Sequence, residues 1–146
     1  MSNRRSYDVF LSYAMADREW VSAFAASLGA SGVAAWFDVA MVEPGELWQD
    51  ELQQALRESR VFVVVVSSHT MDSRWVLFEL GAAMAGGKRI IPVLVDDAAP
   101  DQIPIQLEPF QFVRAASPEE AGRRVAAVVE QTKRPQAAPS TEGAGK

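Results

Sequence analysis

Val61-Phe62-Val63-Val64-Val65-Val66 is an unbroken apolar run, β-branched at every position but Phe62. Successive side chains of a strand point to opposite faces, so a strand with one wet face alternates apolar and polar. A strand that is apolar throughout is covered on both faces, and that is the habit of parallel sheets layered by helices. The run is far too short to cross a membrane, which takes roughly 20 apolar residues. Four more β-rich runs accompany it: Tyr7–Ser12, Val33–Phe37, Arg89–Val95 and Phe110–Val113.

Helical patterns fill the gaps. Asp17 is placed to cap a helix with apolar positions Trp20, Val21, Phe24 and Leu28, and Gly29 stands just past its expected end. A second helix puts Trp48, Leu52, Ala55 and Leu56 on one face. A third begins near Asp72 or Ser73, carries Trp75 to Leu80 and stops at Gly86-Gly87. The last has the capping-box arrangement, with Ser117 at the N-cap, Pro118 next and Glu120 two further on. Its apolar face is Ala121, Val125, Val128 and Val129. Strands alternating with helices predict parallel pairing through right-handed crossovers. The expected architecture is therefore α/β, a flavodoxin-like three-layer sandwich. Its five-stranded parallel sheet has the order 2-1-3-4-5, with helices on both faces. Pro92 is awkward inside the fourth strand, since proline donates nothing to a ladder. In such folds ligands bind beyond the carboxyl ends of the strands. Three segments then matter most: Ser12–Asp17, Asp38–Leu47 and Ser67–Trp75.

Composition narrows the chemistry. The 146 residues contain no cysteine, which excludes disulfide frameworks, thiol nucleophiles and Cys-ligated zinc. The formal charge is −5, and residues 1–132 alone carry 11 basic and 18 acidic side chains. An acidic globule is a poor match for nucleic acid, whose binders neutralise phosphates with Lys and Arg. Residues 133–146 hold no bulky apolar side chain and are expected to be a disordered tail. No apolar stretch follows Met1–Arg5, so neither a secretion signal nor a membrane span is expected. The first strand leads into Leu11-Ser12-Tyr13-Ala14-Met15, with no Gly-x-Gly-x-x-Gly. Gly86-Gly87-Lys88 precedes a strand and is no phosphate loop. A phosphorelay receiver would need an Asp ending the third strand, where Ser67-Ser68 stands. The lone histidine, His69, reads as a polar loop residue, and no metal site is expected.

One constellation remains, Trp75-x-x-x-Glu79. Helical positions i and i+4 share a face, so the two side chains stack along one side at the mouth of the third strand. Spacing alone favours a surface glutamate beside a core tryptophan. The pair gains weight from its surroundings: Tyr7-Asp8-Val9-Phe10-Leu11-Ser12-Tyr13, then Trp36-Phe37-Asp38, Glu43-Pro44-Gly45-Glu46-Leu47-Trp48, Ser59-Arg60 and Ser73-Arg74. In this order and spacing the series resembles the TIR (Toll/interleukin receptor) domain of bacterial type, over residues 6–132.

The resemblance implies NAD+ as a substrate, cleaved between nicotinamide and ribose, with no other cofactor. It makes Glu79 the catalytic residue. It places Phe10, Ser12, Tyr13, Trp36, Asp38, Glu43, Gly45, Leu47, Trp48 and Trp75 around the substrate, with Asp38–Leu47 as the loop after strand two. Core packing is the competing role for the aromatic residues, and an exposed loop charge is the competing role for Glu43. Active members often carry Arg or Lys where this chain has Ala14-Met15, which leaves the pyrophosphate without an assigned partner. Other TIR domains, in a homo-oligomer or filament, and a separate sensor protein are the implied partners. The implied setting is cytoplasmic, in bacterial defence or host-directed signalling, with secretion as an effector the other option. A non-catalytic adaptor working through TIR–TIR contacts is the alternative function.

Overall fold

A computed structural model describes residues 7–36, 54–95 and 98–133, the side chains of Trp75 and Lys133 excepted. Its elements run β1 (Val9–Ser12), α1 (Arg18–Ala30), β2 (Ala35–Trp36), a helical stretch α2 (54–58), β3 (Val61–Val66), α3 (Arg74–Ala85), β4 (Arg89–Leu94), β5 (Val113–Arg114) and α4 (Pro118–Lys133). The strands form one sheet in the order β2-β1-β3-β4-β5, and every pair is parallel. The flavodoxin-like order expected from the alternation of strands and helices is the one observed.

The strand period divides the core in two. Val9, Leu11, Val61, Val63, Val65, Ile91 and Val93 face α1 and α4, where Val21, Phe24, Leu28, Val125 and Val129 meet them. Phe10, Phe62, Val64, Val66, Ile90 and Leu94 face the other way, against Ala55 of α2 and Val76, Leu80 and Ala83 of α3. All six residues of β3 are buried, which is the reason its sequence never alternates. On the α3 side three rings stack across adjacent strands: Trp36 on Phe10 at 5.1 Å, and Phe10 on Phe62 at 5.7 Å.

Several boundaries differ from those expected. β5 is Val113–Arg114, not Phe110–Val113, and among the described residues β2 is confined to Ala35–Trp36. α1 passes Gly29 and ends at Ala30; it is Gly32, at φ +88°, that takes the left-handed turn. Pro92 is accommodated because β5 joins β4 only at Val93 and Leu94. At Pro92 the strand is bordered by β3 alone, and the register from Val61↔Arg89 to Val66↔Leu94 runs through it unbroken. At the start of α4, Ser117 Oγ accepts the Glu120 N–H at 3.1 Å, as the sequence predicts. The Glu120 carboxylate, however, reaches the Ala116 N–H at 3.2 Å, one residue earlier than a standard capping box. Most of the expected second helix, with Trp48 and Leu52, lies outside the described residues, as does the expected tail except Lys133, which is the last residue of α4 and not part of a tail.

Candidate active site

β1 and α3 build the site. Ser12 is the last residue of β1, at the carboxyl edge of the sheet, and alternation turns its side chain toward the α3 face. Ser73 caps α3 by accepting the Val76 N–H at 3.2 Å, which fixes where the helix begins. From that start Val76, Glu79, Leu80 and Ala83 fall on the inward face, and all four are buried. Glu79 is thereby carried over the end of β1. Its Oε1 accepts the Ser12 hydroxyl at 2.6 Å, and both residues are sealed, Glu79 at 1% exposure. Its Oε2 is buried without a hydrogen-bond partner among the described residues.

A carboxylate in this position is poorly solvated, and burial raises its pKa from 4.5 to about 8, against a smaller lowering by the Ser12 hydrogen bond. In the free protein near neutral pH the group is therefore mostly protonated. Burial overturns the expectation from spacing alone, a surface glutamate. A helical wheel already carried the signal, because position 79 shares its face with 76, 80 and 83.

Beside this pair, two loops of the carboxyl edge are tied together. Ser67, which follows β3, donates its hydroxyl to Asp17 Oδ2 at 2.5 Å and accepts the His69 N–H at 3.0 Å. The Ser67 N–H in turn donates to Thr70 Oγ1 at 2.8 Å. Asp17 occupies the cap position of α1, yet its side chain makes no capping bond there. The sequence reading of Asp17 as a side-chain cap is corrected to a strap between the β1–α1 and β3–α3 loops. A serine directly after the unbroken apolar run Val61–Val66 was the available signal. His69 is exposed, and among the described residues no group of three His, Cys, Asp or Glu gathers as a metal site.

The other predicted site residues scatter. Phe10 is fully buried in the stacked ring row beneath the site, with Trp36 half-buried at its end. Tyr13 packs into the α1–α4 side of the core, on the opposite face of the sheet from Glu79. Of the substrate positions implied by resemblance, Ser12 is the one whose hydrogen bond to Glu79 is seen. Trp75 lies in α3 within one turn of Glu79. Asp38, Glu43, Gly45, Leu47 and Trp48 fall outside the described residues. At the two positions where the resemblance led to an expected Arg or Lys, Ala14 is buried and Met15 is exposed. A cavity of about 510 Å³ opens at the carboxyl ends of β4 and β5 beside Arg114, and another of about 370 Å³ lies by Arg89 and Phe112. Ser12 and Glu79 line neither.

The TIR domain family matches residues 9–128, which takes in all five strands and most of α4. The chain belongs to the TIR domain family. An NAD(+) hydrolase of Paracoccus denitrificans is 32% identical over 92 residues, 60% of this chain and 31% of that protein. A 2′ cyclic ADP-D-ribose synthase of Acinetobacter baumannii is likewise 32% identical over 92 residues, 60% of this chain and 34% of that one. This TIR chain thus spans about a third of the length of the curated relatives it matches. The crystal structure of the TIR domain of a Toll-related receptor from Hydra magnipapillata superposes with a TM-score of 0.67. That likeness has 22% identity and covers 88% of this chain and 98% of that one. It shows the shared fold. Among the described residues of this TIR domain no helix is long and apolar enough to cross a membrane.

Proposed function

We propose that this TIR domain cleaves NAD+ between nicotinamide and ribose, with Glu79 as the catalytic carboxylate. The observation that carries the reading is the buried, half-partnered carboxyl of Glu79 at the carboxyl edge of the sheet. A carboxyl group in that setting costs stability, since desolvation disfavours its charged form. Groups perturbed in this way gather at functional sites. Relatives at 32% identity bear the names of NAD+-consuming enzymes, which supports the same reading.

The chemistry suits one carboxylate. When the C1′–N bond breaks, its electron pair leaves with nicotinamide, which departs neutral and needs no proton. Positive charge is left on the ribose, as in glycosidase transition states. An ionised Glu79 in a water-poor setting stabilises that charge more than solvent would. The cationic nicotinamide riboside also favours ionisation of Glu79 as it approaches. Water then captures the ribose, losing a proton, to give ADP-ribose. Alternatively a hydroxyl of the same molecule captures it to give a cyclic product. NAD+ is consumed, and the scheme needs no further cofactor.

Ser12, Trp75 and the loop residues Asp38, Glu43, Gly45, Leu47 and Trp48 complete the proposed site, and Trp36, Phe10 and Tyr13 support it from the core. We place the activity in self-assembled TIR domains of a cytoplasmic protein, triggered through a separate sensor, in bacterial defence or host-directed signalling. The test follows nicotinamide release from NAD+ by the purified chain across a range of protein concentrations. Release is expected from the wild type and is lost by about 10²-fold or more in Glu79→Gln. Equal release by Glu79→Gln sinks the assignment. No release from either protein leaves the adaptor reading.

A further inference from the structure

β5 leaves β4 at a proline. The Val95 N–H donates to the Val66 carbonyl at 2.9 Å, so residue 95 turns its backbone groups toward β3. Backbone groups of successive strand residues point to alternate sides, so Leu94 and Pro92 turn theirs toward β5. Leu94 pairs there with Arg114. Pro92, the next residue upstream to face that way, has no N–H to offer. The β4–β5 ladder accordingly stops at Val93↔Val113, and segment 110–112 does not continue it. The gap is a cavity of about 370 Å³ toward the start of β4, with an apolar lining from Ile90, Ile91, Phe110, Phe112 and Val128. Protein interiors hold few voids larger than a water molecule, whose share of liquid volume is about 30 Å³. This cavity has the size of a small-ligand pocket, for which about 300–1,000 Å³ is usual.

Its charge is one-sided. Lys88 and Arg89 line the cavity and, among the described residues, no Asp or Glu does, in a chain of net charge −5. The two cations are not equivalent. Lys88 Nζ donates to the Arg57 carbonyl at 2.8 Å and to the Ser59 carbonyl at 2.6 Å. Two of its three donors are thus occupied at the end of α2. Arg89 is exposed, and no described acidic side chain pairs with it.

We propose that this cavity is a binding site for a small carboxylate with a flat apolar body. The body lies among the Phe110 and Phe112 rings, which favour offset or edge-on contact with another ring. The carboxylate meets Arg89, whose planar fork matches two oxygens at once. An inorganic anion leaves the apolar lining unfilled, and a neutral hydrocarbon leaves Arg89 without a partner. Lining and charge together therefore select an apolar acid. The site borders the amino half of β4, whereas Ser12 and Glu79 stand at the carboxyl edge of the sheet. The proposal does not rest on the NAD+ reading.

The chain has four isoleucines; Ile90 and Ile91 line the cavity, and Ile105 is exposed and does not. The probe is 2-naphthoate, with 2-naphthamide as its uncharged counterpart, added to the full chain labelled at the isoleucine δ1 methyls. The Ile90 and Ile91 signals are expected to shift and to saturate at millimolar 2-naphthoate or below, while the Ile105 signal stays. The amide is expected to bind at least about tenfold more weakly than the acid, because it lacks the charge-assisted contact. Arg89→Gln, at an exposed position, is expected to keep its melting curve and to bind 2-naphthoate at least about tenfold more weakly. Val128→Phe, which fills the cavity from α4, is expected to abolish the Ile90 and Ile91 shifts. Signals that do not saturate at millimolar 2-naphthoate overturn the proposal. So does equal affinity for acid and amide, an Arg89→Gln chain that binds as the wild type does, or undiminished binding by a folded Val128→Phe.

Discussion

Ser12 and Glu79 form a unit in which one hydroxyl governs one carboxyl. Ser12 donates to Glu79 Oε1, an interaction that favours the ionised form against the effect of burial. Ser12→Ala removes that donor, so the Glu79 pKa moves further above about 8. With ionised Glu79 as the working form, the rise of kcat/KM with pH shifts to higher pH. A hydrogen bond to a charged group contributes about 1.5–3 kcal/mol, so the loss at pH 7 is about tenfold or more. Activity recovers at alkaline pH. Nicotinamide release followed from pH 6 to 10 checks this, and a reduction equal at every pH would instead mean that Ser12 only packs. Trp75-x-x-x-Glu79 and its companion motifs single out Glu79 in the sequence. The bond to Ser12 was not legible there, because it joins residues 67 positions apart and exists only once β1 and α3 are packed.

At the scale of elements, hydrophobic period identified the strands, and their sequence could not say where pairing would stop. β3 read correctly to the residue, since both its faces are buried and every position reports the fact. β2 and β5 flank the sheet, where fewer neighbours constrain the ends, and their expected boundaries slipped, as did the start of β1, at Val9 instead of Tyr7, and the end of β4, at Leu94 instead of Val95. The closeness of α1 and α4 was also hidden. It rests on Gly122, where a built Cβ falls 2.4 Å from Ser27 Cβ and 3.1 Å from the Phe24 carbonyl. Ser27 Oγ donates to the Glu119 carbonyl at 2.8 Å across the same contact. A glycine one place after Ala121 looks like a flaw in the helix until the partner helix is seen. Gly122→Ala raises intrinsic helix propensity by about 1 kcal/mol, yet the clash forces the two helices apart. Overpacking of this kind costs about 1–3 kcal/mol. The variant is expected to be destabilised in urea, and Ser27→Gly in the same chain to restore part of the loss. A stabilised Gly122→Ala would show that the helices have room to spare.

For the whole molecule the acidic balance and the buried carboxyl act together on stability. Glu79 has a folded-state pKa of about 8 against an ordinary 4.5, so the folded chain keeps a proton that the unfolded chain gives up. Stability from this group is complete below about pH 4.5 and is lost as pH rises through about 8. The slope is at most about 1.4 kcal/mol per pH unit. The other carboxylates are common to the wild type and Glu79→Gln, so they cancel in a comparison. The Glu79→Gln chain holds no titratable proton at this position. Urea unfolding at pH 5.5, 6.5 and 7.5 is therefore expected to show the wild type losing stability relative to Glu79→Gln by about 1 kcal/mol at each step. Parallel curves would mean that Glu79 is already ionised in the folded chain. Its environment would then be wetter than the Ser12 pairing and the buried Oε2 imply. The same measurement with NAD+ present separates burial from function. The cationic nicotinamide ring beside the carboxylate favours its ionised form, so the dependence on pH should flatten in the wild type and stay unchanged in the variant.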